Sequence, residues 1–98
     1  MPVAKLVLDI AIEASYSLKD RRHVVQSVKE KLRNSFNISI AEMDDEAMWN
    51  RATLGVAAIS NSRDYLIGLM SKIEDAAHRH ANDRGAEISD AYWDFLEE

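Results

Sequence analysis

An α+β sandwich, with a four-stranded antiparallel sheet covered on one face by two helices, is what the residue pattern of this chain predicts. Three observations carry it: apolar and polar residues alternate from Lys5 to Glu13, two long stretches hold apolar residues at helical spacing, and short β-prone runs complete the order strand, helix, strand, strand, helix, strand. Two split β-α-β halves of this kind fold as a ferredoxin-like βαββαβ sandwich, and right-handed crossovers give the strand order 4-1-3-2. A chain of 98 residues is long enough for one two-layer core, so residues 1–98 are expected to form a single domain.

The first strand places Leu6, Leu8, Ile10 and Ile12 on one side and Lys5, Val7, Asp9, Ala11 and Glu13 on the other. Ser17 can then cap a helix, with Asp20 three residues later, and Leu18, Val25, Val28, Leu32 and Phe36 mark its apolar stripe, so the helix should run from about Leu18 to Ser35. The segments NISIAEMD and RATLGVAAIS read as two strands joined by a polar loop. Asn61 or Ser62 can cap a second helix, whose inner face collects Leu66, Leu69, Met70, Ile73, Ala76, Ala77 and His80 and whose end falls at Gly85. The tail AEISDAYWDFLEE fits a strand whose imperfect alternation calls for a bulge or burial on both sides. Leu8, Ile10, Val28, Leu32, Leu54, Val56, Leu69 and Ile73 are the expected core.

Composition narrows the function classes. The absence of Cys excludes disulfides, thiolate catalysis and Cys-based zinc sites. Asp9 and Glu13 interrupt the apolar N-terminal region and no run approaches membrane-spanning length, so a cytoplasmic location without membrane contact is expected. The net charge of −5 makes DNA an unsuitable partner, yet residues 1–36 hold seven Lys/Arg against four Asp/Glu, so positive charge gathers around the first helix. No cofactor and no metal are expected. The acidic run EMDDE lacks the spacing and glycine of a calcium loop, Trp49 beside it is expected to close the core, and His78 and His80 are two apart, on different helix faces. His23 lies in no recognisable triad, and the chain is not expected to be an enzyme.

SLKDRR after the first strand, FNISIAEMD, W-x-R-A-T-L-G-V-A, and SN before the second helix together resemble the YlxP-like family of small bacterial proteins of unknown function. The resemblance implies a ferredoxin-like fold and a gene neighbourhood shared, in many bacteria, with translation initiation factor two and ribosome-binding factor A. It brings no catalytic residues, so Ser17, Leu18, Lys19, Arg22, Glu42, Asp44, Trp49 and Arg51 are motif positions only.

Two surfaces are candidate sites. At the start of the first helix, free backbone N–H groups form an anion site, and Ser15, Ser17, Lys19, Arg21 and Arg22 can add hydroxyl and cationic donors. The favoured reading is a small non-catalytic accessory protein whose basic helix start contacts ribosomal RNA or another polyanion, with a ribosomal protein as a further candidate partner. The alternative for these residues is a solvated helix face with Arg21 lying over the sheet. The rival reading is a protein-interaction module that uses a strand edge or the sheet face away from the helices, where Val7, Ala11, Gly55, Ala57 and Ile59, beside Thr53, offer a surface of mostly small apolar residues for a homodimer or another protein. A small-molecule phosphate-binding protein or enzyme is a third, weaker reading.

Overall fold

A computed structural model describes residues 1–13, 17–43 and 50–96. Its elements are β1 (Val3–Ala11), α1 (Leu18–Ser35), β2 (Ser39–Glu42), β3 (Arg51–Ile59), α2 (Arg63–Asp83) and β4 (Glu87–Phe95). All pairings are antiparallel and the sheet order is β2-β3-β1-β4, the expected topology.

Alternation in β1 decides which face is covered. Ala4, Leu6, Leu8, Ile10 and Ile12 are buried beneath the helices, opposite Ala58, Val56, Leu54 and Ala52 of β3. The stripes Val25-Val28-Leu32 of α1 and Leu66-Leu69-Met70-Ile73-Ala76-Ala77 of α2 close the same core. All eight expected core residues are buried, each large aliphatic contributing about 1.5–3 kcal/mol by leaving water.

Both helices start as their caps require. Ser17 Oγ accepts the Asp20 N–H at 3.2 Å, and Ser62 Oγ accepts the Tyr65 N–H at 3.1 Å. α2 ends in a Schellman motif: Gly85, at φ 74°, donates its N–H to the Asn82 carbonyl while Ala86 donates to that of Ala81. A side chain at Gly85 would strain this left-handed turn, so glycine is required there. The irregular alternation of β4 has its cause in a register shift opposite Asp9 and Ile10. Arg63, at the start of α2, lies 4.1 Å from the centre of the Phe95 ring, and Trp93 meets that ring edge-on at 5.3 Å. These contacts pin α2 to the end of β4.

The two sheet edges differ. β2 is only four residues long. On β4, the Asp90 and Asp94 carboxylates accept the backbone N–H groups of Ala91 and Phe95 at 3.0 and 2.8 Å. Both devices make the edges poorer templates for an incoming strand. Among the described residues no helix is long and apolar enough to cross a membrane.

Candidate functional site

The helix start is divided by the direction of its side chains. Arg21 falls four residues before Val25 on the inward stripe and is 1 % exposed, whereas Ser17, Lys19 and Arg22 face solvent. The expectation that Arg21 joins an external anion site is therefore corrected: its Nε donates to the Arg51 carbonyl at 2.8 Å and its Nη2 lies 2.6 Å from Glu42 Oε1. Helical periodicity carries the guanidinium under the sheet, and Glu42, on the inward side of β2 after Ile40, neutralises it. This contact is an ion pair rather than a well-directed hydrogen bond. Ser17 Oγ already serves as the helix cap. Ser15 lies outside the described residues, as do Asp44, Asp45, Glu46 and Trp49.

Arg21, Glu42 and Arg51 thus bring together three separated stretches: SLKDRR, FNISIAEMD and the start of RATLGVA. In sequence the three are far apart, and opposite charges at inward positions of a helix and a strand are the sign that they pair.

The uncovered sheet face is arranged in rows across β2, β3, β1 and β4. One row is Ser39-Ala57-Lys5-Asp94, the next Ala41-Gly55-Val7-Tyr92, and the next runs Thr53-Asp9-Asp90 across the last three strands. Thr53 Oγ1 donates to Asp9 Oδ1 at 2.9 Å. Small residues on β2 and β3 leave a shallow apolar groove of about 230 Å³, bounded by Met43 at one end and Leu96 at the other. Met43 lies directly over Gly55, where a Cβ would come within 2.5 Å of its sulfur, so glycine here is what lets Met43 fold onto the strand. Met43, Ile59, Tyr92 and Leu96 are 53, 62, 57 and 50 % exposed. Of the residues expected on this face, Gly55, Ala57 and Ile59 are open to it, Ala11 is half-buried beside Arg51 and Glu87, and Val7 is largely covered at its centre.

Among the described residues no three His, Asp or Glu side chains form a group able to hold a metal. His80, near the end of α2, is half-buried with its Nδ1 lacking a hydrogen-bond partner. Burial, followed by the charges of Lys31 and Arg79, holds its pKa below the ordinary value. A second hollow, of about 390 Å³, lies where Phe36 meets α2 and mixes Asp64 and Lys72 with Tyr65 and Gly68.

A four-stranded antiparallel sheet with two helices on one face and the order β2-β3-β1-β4 defines a ferredoxin-like α+β protein. Solved structures agree on this fold. A dinuclear metal-binding peptidase of the M20 family from Bacillus subtilis matches with a TM-score of 0.64 at 11% identity, over 96% of this chain and 25% of that one. A C-terminal segment of the alpha subunit of aIF2 from Pyrococcus abyssi gives 0.52 at 10% identity, over 100% of this chain and 53% of that one. A designed protein with a ferredoxin fold gives 0.51 at 11% identity, over 98% and 84%. The chain belongs to the family described as Protein of unknown function (DUF503), whose model matches residues 3–91. It is also 40% identical over 47 residues to the uncharacterized protein YlxP of Bacillus subtilis strain 168; the match spans 48% of this chain and about half, 51%, of that relative.

Proposed function

We propose that this protein is an interaction module that holds a macromolecular partner on the uncovered face of its sheet, in the cytoplasm. The observation that supports this reading is the apolar groove over Ala41, Gly55 and Ala57, bounded by the exposed side chains of Met43 and Leu96, with exposed Tyr92 further along the same face. Exposed apolar side chains gathered on one face, and a flexible methionine among them, are what partner surfaces offer. The strand edges are less suited, because β2 is short and carboxylates cover two β4 amides. Contact with ribosomal RNA or another polyanion through Lys19 and Arg22 ranks second, since Arg21 is internal.

A photo-crosslinking amino acid placed at Ala57, and separately at His78 on the exposed side of α2, tests the reading in living cells. Discrete higher-mass adducts from position 57 and none from position 78 are expected. Adducts from 78 alone, or from neither, would overturn it.

A further inference from the structure

The two halves of the uncovered face are unlike each other, and each has the shape the other lacks. On the β2-β3 half, Ser39, Ala41 and Ala57 floor the groove, with Met43 folded over Gly55 at one end and Lys5 and Leu96 on its far side; on the β1-β4 half, in the same row as Ala41 and Gly55, Tyr92 stands 57 % exposed. A two-fold axis running along the strands, midway between β3 and β1, exchanges these halves row by row. It sets Tyr92 over Ala41 of the other copy and Asp94 over its Ser39, with strands aligned as packed sheets prefer.

Resting on the sheet-face reading above, we infer that the occupant of this face is a second copy of the chain, with Tyr92 of each copy seated in the other's groove. Three nine-residue strands and one of four residues span about 500 Å² at roughly 3.3 Å per residue and 4.8 Å per strand. Two such faces bury about 1,000 Å², the lower end of specific interfaces. The pair is therefore a weak dimer, with Kd on the order of 1–100 µM. Asp9 and Asp90 of both copies fall in one row, so added salt tightens the pair by screening them.

Sedimentation equilibrium of the purified protein from micromolar to millimolar concentration tests the inference, alongside Tyr92→Ala, Ala57→Lys and circular dichroism to verify folding. The chain has no cysteine, so single variants Ser39→Cys and Asp94→Cys can be mixed and joined with a short bismaleimide. The expected result is a reversible dimer that tightens with salt, is weakened about tenfold or more by Tyr92→Ala, is abolished by Ala57→Lys, and is joined chiefly between positions 39 and 94. A monomer throughout overturns the second copy as occupant, while the adduct at position 57 still decides the sheet-face reading. A dimer indifferent to both substitutions uses another surface and overturns the second copy as occupant of this face. Links of 39 to 39 and 94 to 94 in excess, or weakening by salt, overturn the axis and the seating of Tyr92.

Discussion

Replacing Arg21 with Met, which keeps an unbranched apolar stem and removes the guanidinium and its charge, tests the internal ion pair. Glu42 Oε1 would stay buried without its 2.6 Å partner, but the Glu42 side chain is 23 % exposed, so water can recover part of the loss. Breaking a buried pair from one side costs about 3–5 kcal/mol, and the exposure of Glu42 places Arg21→Met near 3 kcal/mol. The reverse change, Glu42→Leu, removes the carboxylate from beside a guanidinium that is 1 % exposed and that donates to the Arg51 carbonyl, and should cost about 4 kcal/mol. In a domain of this size, 3 kcal/mol lowers Tm by roughly 12–24 °C. The double variant removes both charges from the interior and should return to within about 1 kcal/mol of the parent. Urea unfolding followed by circular dichroism at neutral pH completes the cycle. Single variants within about 0.5 kcal/mol of the parent, or a double variant that loses the sum of both, would refute the argument that the pair matters because each charge is trapped by burial.

Two further outcomes follow from the helix ends. His80 binds its proton less readily in the folded chain than its ordinary value of 6.5, so the unfolded state holds more protons just below that pH; stability should fall as pH drops from 7.5 to 5.5, and His80→Gln should flatten that slope in urea titrations. Lys31→Gln should flatten it only in part, because burial is the larger cause. Gly85→Ala should lose about 1–2 kcal/mol by thermal melting, since alanine must hold the left-handed φ of 74°, whereas Gly85→Asn should lose less.

The fold was legible because its signals are local and agree with each other. Ser17 and Ser62 sit immediately before helical stripes, Gly85 sits after one, and the alternation of β1 names its buried face without reference to any other strand. The divided helix start was less so. Arg21 lies on the same stripe as Val25, Val28 and Leu32, but a charge on that stripe reads as inward only once an inward partner is recognised, and Glu42 is 21 residues further along on another element. The membership of the open sheet face could be read from strand periodicity. Its groove could not, because the hollow depends on Met43 lying over Gly55 and on where Leu96 falls past the end of β4, which are products of side-chain packing.

The carboxylates along β4 bear on how far any assembly of this domain can grow. A nine-residue outer strand would ordinarily be a template for endless addition, each newcomer leaving a fresh edge for the next. With Asp90 and Asp94 folded onto the amides of Ala91 and Phe95, a recruited strand must first displace two negatively charged groups from their hydrogen bonds. The other border, β2, is too short to guide one. Growth in the plane of the sheet is thereby discouraged on both flanks. A second copy docked on the broad face, as inferred above, would consume the surface that made the contact and close the assembly as a pair rather than extend it as a filament.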